Sequence, residues 1–339
     1  MKRSIKWALA SGAFGALGLA GCALVLGIED VPVSVLDGSA PDAGVGDGGA
    51  ADTAAPPPPP PPPPPVDSAI DAGTCWTRPF GTAVNVAELN SAADELNVRL
   101  SRDERTAYLA SNRPDGGIGG VDLYTSVRTF SREPFADPIL HALSTPADDT
   151  HPSLSSDGLS LYFSSTRAEA GADLYVATRN VTTVPFSSFA TRLSSLSTSP
   201  FDDSFPWIAY DELLFASNRA GDIQLYRAGR DGGGFGVPTP VIEVHENNTV
   251  SNCPVLSVDG TWLYFASTRT AGGAKGESDI WVAHRASADG PFDPPTNVKE
   301  LNTASSDRPA WLSDDGCRMY LTSTREGGRG GLDVWLAER

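Results

Sequence analysis

Five arginines, each closing a Ser-x-Arg triplet, recur along the chain at near-constant spacing. They are Arg113, Arg167, Arg219, Arg269 and Arg325, separated by 54, 52, 50 and 56 residues. In four of these segments an aspartate follows a glycine-containing stretch: Asp122, Asp173, Asp279 and Asp333. Arginine and a carboxylate can form a strong bidentate ion pair. Since a ligand-binding role is rarely repeated five times with equal strictness, the pattern predicts a structural clamp between each arginine and the aspartate that follows it.

Acidic residues in the loops that enter several repeats form a second candidate site. Asp149, Asp203 and Asp307 each lie in such a loop. We expect these acids on the same face of the protein as the Ser-x-Arg loops, which makes that face the candidate surface for a partner. Hard cations prefer carboxylate ligands, but no Asp-x-Asp-x-Asp-Gly loop is present. A solvated acidic surface is therefore favoured over a metal site.

The sequence lacks the motifs of several large enzyme classes. Its four histidines, at positions 141, 151, 245 and 284, show no metal-ligand spacing. No Gly-x-Ser-x-Gly elbow, phosphate-binding loop or dinucleotide fingerprint occurs. The formal net charge of -17 also argues against nucleic acid, which binds basic surfaces. We therefore expect a protein with no catalytic residue, no cofactor and no nucleic-acid partner.

The first 22 residues have the organisation of a targeting segment. Basic residues at positions 2, 3 and 6 precede an apolar run over 7–19, which is shorter than the roughly 20 residues needed to span a bilayer. The run ends in Leu-Ala-Gly-Cys at Cys22 and so resembles a bacterial lipobox. This resemblance implies a signal peptide over 1–21, lipid attachment at Cys22 and, because Ala23 rather than aspartate follows, the outer membrane. An ordinary secretory signal with an incidental Cys22 is the alternative.

Residues 22–75 have the composition of a disordered spacer. They include eight acidic residues, no lysine or arginine, and ten consecutive prolines at 56–65. Such a segment buries too little apolar surface to offset the entropy lost on ordering. Ten prolines in polyproline II conformation form a stiff rod of about 30 Å. We expect the spacer to hold a folded domain, residues 76–339, away from a membrane.

The folded domain repeats one phrase about every 50 residues. One copy reads LSSDG at 154–158, YFSSTR at 162–167 and DLY at 173–175, and four further copies keep this order. Asp-Gly between two alternating apolar runs is a strong hairpin signal. A third strand follows the glycine-containing loop, and a recurring Pro-Phe marks a weaker fourth strand. Four short strands per repeat, with no helical pattern, predict the blades of an all-β propeller.

The phrase resembles the TolB-type, WD-repeat-like propeller repeats, whose signature is Ser-x-Asp-Gly, an aromatic strand, Ser-x-Arg, a glycine-rich loop and Asp-Ile/Leu-Tyr/Trp. The resemblance covers residues 97–339 and implies a fold rather than a function. Pro79-Phe80 and the strand-like residues 83–87 precede the first copy and match the fourth-strand position. We therefore predict a single propeller of five four-stranded blades, in which this N-terminal strand completes the last blade. Six blades, as in TolB, are the alternative.

Two of the four cysteines fall at the same edge of the last predicted blade. Cys75 precedes the closing strand, and Cys317 lies in the first hairpin turn of that blade. Alternating strand directions bring both to one edge, and an oxidising compartment permits a Cys75–Cys317 disulfide. A free Cys75 thiol is the alternative. Cys253 begins a strand at the opposite edge, and we expect it to be a buried free thiol.

Two functions remain open at this point. The first is a lipid-anchored outer-membrane protein, facing the periplasm or the cell surface, whose monomeric propeller binds an envelope protein or a peptidoglycan-associated partner. The second is glycan binding or hydrolysis, because some five-bladed propellers hydrolyse sugars with carboxylates in the central funnel. Such enzymes interrupt the repeat with single acids, whereas here the acids recur in nearly equal blades. This recurrence favours binding. The fold by itself does not decide between the two functions, because propellers host both.

Overall fold

The computed structural model describes residues 75–168, 171–209 and 211–339. The predicted signal peptide, the predicted lipidation site Cys22 and residues 22–74 of the predicted spacer lie outside the described residues. The described part is all-β, apart from two short 3₁₀ helices at Cys75–Thr77 and Ile242–Val244. Neither helix has the length and apolarity that crossing a membrane requires.

The strands form five antiparallel sheets, which are the blades of a propeller. The first strand, β1 (Val84–Asn85), belongs to the last blade. Blade 1 comprises β2 (Glu95–Leu100), β3 (Thr106–Ser111), β4 (Asp122–Val127) and β5 (Ile139–Leu140). Blade 2 comprises β6 (Asp149–Leu154), β7 (Ser160–Ser165), β8 (Asp173–Thr178) and β9 (Thr191–Arg192). Blade 3 comprises β10 (Asp203–Ala209), β11 (Glu212–Ser217), β12 (Gln224–Asp231), its hairpin extension β13 (Gly234–Phe235) and β14 (Thr239–Pro240).

The last two blades repeat this order. Blade 4 comprises β15 (Ser251–Leu256), β16 (Trp262–Ser267), β17 (Asp279–His284) and β18 (Thr296–Asn297). Blade 5 comprises β19 (Asp307–Leu312), β20 (Arg318–Ser323), β21 (Asp333–Glu338) and β1. The first strands of the blades, β2, β6, β10, β15 and β19, each contact the first strand of the next blade and so surround the axis.

The second strand of every blade is buried on both faces. In β3, β7, β11, β16 and β20 a half-buried first residue is followed by five buried ones. A strand with one solvated face would alternate between apolar and polar residues. Here a neighbouring blade covers each face, so that Leu161, Tyr162 and Phe163 are all buried. The hydrophobic core therefore lies between the blades.

The first hairpin turn of most blades has positive φ, as the Asp-Gly pattern predicts. Gly158, Gly260 and Gly316 have φ of 71°, 72° and 70°. Blade 1 carries Glu104 at this position with φ of 57°, a conformation that costs a non-glycine residue about 1 kcal/mol. The Glu104 carboxylate forms an ion pair with Arg318 of blade 5. This ion pair joins the first blade to the last.

The ring is closed by β1. It pairs antiparallel with β21, with Val84 opposite Leu336 and Asn85 opposite Trp335, and it becomes the outermost strand of blade 5. The prediction of five four-stranded blades completed by the N-terminal strand is confirmed. No sixth sheet is present among the described residues.

Cys75 and Cys317 are joined by a disulfide, with their Cα atoms 5.2 Å apart. The bond ties the segment before β1 to the first hairpin turn of blade 5. Beside it, the Trp76 ring packs so closely on Gly316 that a Cβ atom there would lie 2.6 Å from the ring. Trp76 also stacks on Trp262 of blade 4, with ring centroids 5.7 Å apart. The disulfide thus fixes a residue that contacts two blades.

Loss of this disulfide should lower the free energy of unfolding by about 2 to 5 kcal/mol, because the bond closes a long loop in the unfolded chain. The two cysteines are 242 residues apart in sequence. Urea unfolding of the wild type with and without reductant, and of Cys317→Ser, measures the effect. Reductant should not change the midpoint of Cys317→Ser. An unchanged wild-type midpoint under reducing conditions would contradict the prediction.

Candidate functional site

The five Ser-x-Arg arginines mark one face of the propeller, which we call the loop face: Arg113, Arg167, Arg219, Arg269 and Arg325. Four of them bind the acid that opens the first strand of their own blade. The N–O distances are 3.0 Å for Arg113–Glu95, 2.6 Å for Arg167–Asp149, 2.5 Å for Arg219–Asp203 and 2.6 Å for Arg325–Asp307. Each of the five also donates to a main-chain carbonyl in the loop that enters its blade. The arginines therefore form a structural clamp in their blades, but this clamp joins the first strand to the second rather than the second to the third.

The prediction that each of these arginines pairs with the aspartate of the third strand is therefore wrong. Strand pairing does not separate the two acids, because Asp149 and Asp173 both lie opposite Ser165, two residues before Arg167. The Arg167 guanidinium is directed toward the first strand, where it binds both Asp149 and the Leu143 carbonyl of the loop that enters the blade. The third-strand aspartates instead fix the preceding loop. Asp122 accepts main-chain N–H bonds from Ile118 and Gly119 at 2.8 and 3.0 Å. Asp279 and Asp333 hold their loops in the same way, whereas Asp173 pairs with Arg192 at 2.8 Å.

The acids predicted to form a binding surface are not at the surface. Asp149, Asp203 and Asp307 are 0% exposed, because each is enclosed with its arginine between the blades. That part of the prediction is wrong. The exposed acids of the loop face lie in neighbouring loop positions and include Asp115, Asp148, Asp202, Asp222, Glu246, Glu277 and Glu326.

Blade 4 shows what happens when the buried acid is absent. Ser251 occupies its place, and the Ser251 hydroxyl lies 3.2 Å from that of Ser267. Arg269 donates to the Val244 carbonyl at 2.7 Å and lies 3.5 Å from the Glu246 carboxylate. Burial lowers the pKa of Arg269, and Glu246 acts against that shift. A peripheral acid thus substitutes for the inner one, as expected for a structural clamp.

A second repeated set of arginines, which the sequence analysis missed, lies just beyond or at the end of each third strand. It consists of Arg128, Arg179, Arg230, Arg285 and Arg339, which are 51, 51, 55 and 54 residues apart. Four of them donate Nε–H to the carbonyl of the first hairpin turn in their blade, at 2.6 to 2.8 Å. All five lie over a phenylalanine ring at 4.2 to 5.2 Å, in most cases that of the Pro-Phe motif. Their near-constant spacing is visible in the sequence and could have identified them as a second repeated set.

An axial cavity opens at the opposite end of the ring. This end, the turn face, is formed by the first hairpin turns around 101–104, 155–158, 257–260 and 313–316. The cavity has a volume of about 210 Å³. Its walls include the last apolar residue of each first strand or its equivalent: Leu100, Leu154, Ile208, Leu256 and Leu312. Arg99, Trp207 and Trp311 also line the cavity. The remaining lining residues are Arg102, Ser155, Ser156, Ala209, Val258 and Asp314.

Arg99 extends from blade 1 toward blades 2 and 3. It is 7% exposed, and its Cζ lies 3.2 Å from the centroid of the Trp207 ring. Its Nη2 makes long contacts of 3.4 and 3.5 Å to the carbonyls of Leu154 and Ile208. Nε and Nη1 are buried and have no hydrogen-bond partner among the described residues. Burial lowers the pKa of Arg99 to about 9, so the guanidinium remains charged at neutral pH.

Two titratable groups in the first strands are uncharged at neutral pH. Burial, with a smaller contribution from Arg308, lowers the pKa of His151 to about 3. Burial raises the pKa of the Cys253 thiol to about 12, and this residue is a free, buried cysteine as expected. A thiol without thiolate character is a poor nucleophile. The described residues also contain no group of three or more His, Cys, Asp and Glu side chains able to hold a metal ion.

No protein-family model matches the sequence, and no curated protein is significantly similar to it. Solved structures of similar fold include TolB from Acinetobacter baumannii (15% identity, TM-score 0.43), with 74% of this chain and 56% of that chain covered. A protein described as TolB from Agrobacterium tumefaciens has 15% identity and a TM-score of 0.45 over 74% and 77% of the two chains. An endo-arabinase from Bacteroides thetaiotaomicron has 13% identity and a TM-score of 0.47 over 77% and 98%. Likeness at this level does not transfer a function.

Asp149→Asn should lower the free energy of unfolding by about 3 kcal/mol, because it removes the counter-charge of a largely buried arginine. Asp137→Asn is the matched control, since Asp137 is exposed and should change stability by no more than about 0.5 kcal/mol. Chemical denaturation of both variants at neutral pH measures the difference. Equal effects of the two substitutions would show that the Arg167–Asp149 pair does not stabilise the blade.

Proposed function

We propose that this chain is a lipid-anchored protein of the outer membrane whose monomeric propeller binds an envelope protein, or a peptidoglycan-associated partner, through the loop face. The main support is the distribution of carboxylates. Those of the first strands are enclosed in ion pairs, whereas several others are exposed on the loop face. The partner surface that complements such a face is basic.

The loops that carry these acids are held in place. The Asp148 carboxylate accepts the Val121 N–H at 3.0 Å, and the Asp202 carboxylate accepts the Ala172 N–H at 3.0 Å. Each bond runs from the loop entering one blade to the end of the loop in the preceding blade. A surface fixed in this way loses little conformational freedom on association. This favours a role in binding.

Hydrolysis of a glycan has less support. Glycoside hydrolases of both stereochemical classes use a pair of carboxyl groups flanking the scissile bond. The only acids in the first strands are Glu95, Asp149, Asp203 and Asp307. All four are bound to an arginine and none is exposed. We therefore propose a non-enzymatic role.

The lipid anchor is tested by metabolic labelling with an alkyne fatty acid in a Gram-negative host. Wild-type chain should take up the label and partition with the outer membrane, because Cys22 follows a lipobox-like segment. Cys22→Ser should lose the label, whereas Cys253→Ala should keep it. Labelled Cys22→Ser chain would contradict the proposal.

Partner binding is tested by capture from solubilised envelope on the immobilised full chain, read by mass spectrometry and sugar analysis. The loop-face variant Asp115→Asn/Glu277→Gln/Glu326→Gln should recover at least about tenfold less partner at low salt, since it removes charges that steer association. A control variant removes the same charge from exposed acids outside the loop face: Asp289→Asn/Glu133→Gln/Glu338→Gln. Equal capture by both variants would exclude the loop face, and enrichment of glycan without protein would favour the carbohydrate alternative.

A further inference from the structure

The axial cavity of the turn face has a feature that the repeat does not explain. The residues equivalent to Arg99 in the other blades are Ser153, Trp207, Val255 and Trp311, so that blade 1 alone places a cation here. The repeated arginines described above all have a carboxylate or carbonyl partner at close distance, or lie at the outer edge of a blade. Arg99 has neither arrangement. A single residue that breaks a five-fold repeat at the axis points to a role outside the repeat.

An anion would satisfy the unpartnered groups of Arg99. A buried N–H without an acceptor is costly, and a buried cation is normally paired. Asp314, a carboxylate in the lining of the cavity, binds Arg102 at 2.7 Å. Its charge favours the charged form of Arg99, but it accepts no hydrogen bond from Nε or Nη1. Arg99 therefore lines the cavity with two nitrogens that have no acceptor among the described residues.

The walls restrict what kind of anion fits. Aliphatic residues and two tryptophans form most of the lining, and its polar members beside Arg99 are Arg102, Asp314 and two serines. Against these largely apolar walls a doubly charged group such as phosphate would lose too much hydration. A carboxylate carries a single charge and matches the donors of arginine. The volume is about 210 Å³, and a cavity of about 150 Å³ already accommodates a benzene ring. One ring-sized apolar group and one carboxylate fill the available space.

We infer that the axial cavity binds a monocarboxylate attached directly to an apolar group of about one ring in size, with Arg99 as the anion-binding residue. This ligand site is independent of the loop face, because it lies at the other end of the axis. The same chemistry occurs in a free small acid and at the C-terminus of a peptide that ends in an apolar residue.

Phenylacetate is the probe, titrated into the full chain by calorimetry with phenylacetamide as the neutral counterpart. We expect saturable binding of phenylacetate and weak or no binding of the amide. Arg99→Met should weaken phenylacetate binding by about tenfold to a hundredfold, the range for loss of a hydrogen bond to a charged group. Arg105→Met makes the same substitution at an exposed arginine of the turn face and should bind as the wild type does.

Arg99→Met should also be at least as stable as the wild type, because it removes an unpaired buried charge. Should that variant fail to fold, Val258→Trp provides the second test, since Val258 lines the cavity and is 43% exposed. The larger ring blocks the entrance, and binding should be lost. Unchanged binding in Val258→Trp, equal binding of acid and amide, or no binding to the wild type would each overturn the inference.

A pair of tetrapeptides ending in phenylalanine, one with a free carboxylate and one amidated, distinguishes the two sources. Tighter binding of the free-acid peptide than of phenylacetate identifies a peptide C-terminus as the ligand. Binding of phenylacetate without either peptide identifies a small free acid. Both results support the site, and neither depends on whether the loop face captures a partner.

Discussion

Closure of the ring between blade 5 and its neighbours is the constraint on which the rest of the structure depends. The second strands are buried only because a blade packs on each side, so every blade requires two neighbours. Three different interactions meet at the joint: the pairing of β1 with β21, the Glu104–Arg318 ion pair and the Cys75–Cys317 disulfide. An unpaired β21 would present an open strand edge, which proteins generally avoid.

Arginine side chains stabilise both ends of the blades. At the loop face the Ser-x-Arg guanidinium links a carboxylate, a carbonyl and an aromatic ring, as Arg167 does with Asp149, Leu143 and Tyr175. At the turn face the second set joins a turn carbonyl to a phenylalanine ring. The planar guanidinium suits both environments, because its edge donates hydrogen bonds while its face stacks. With both ends fixed, the loops can vary in sequence without loss of the blade.

The sequence carried enough local information to predict the blades and their closure, because Asp-Gly turns and a fixed repeat length are readable without coordinates. It did not reveal the partner of the Ser-x-Arg arginine. Both Asp149 and Asp173 lie near Arg167 at one end of the blade, and Asp173 is closer in sequence. Strand pairing places both of them opposite Ser165. The direction of the guanidinium decides between them, because Arg167 turns to the first strand and to the Leu143 carbonyl of the entering loop. That ion pair also encloses Asp149, which is buried.

The axial cavity was beyond sequence analysis for a related reason. Arg99 is visible as a cation within an apolar strand, but the space around it depends on side chains that converge from all five blades. Their residues are separated by tens of positions along the chain. A local sequence pattern does not give the volume that remains where these side chains meet. Whether the axis of the ring is filled by side chains or contains a cavity depends on how they pack.

The position of Cys75 has a mechanical consequence. The disulfide lies on the N-terminal side of β1, between that strand and the preceding part of the chain. Tension applied from the N-terminal direction therefore passes through the covalent bond into the hairpin turn of blade 5. The two residue pairs that join β1 to β21 lie beyond that bond in the chain and are shielded from the load. A domain built in this way can be pulled from its N-terminal side without separating the strand that closes its ring.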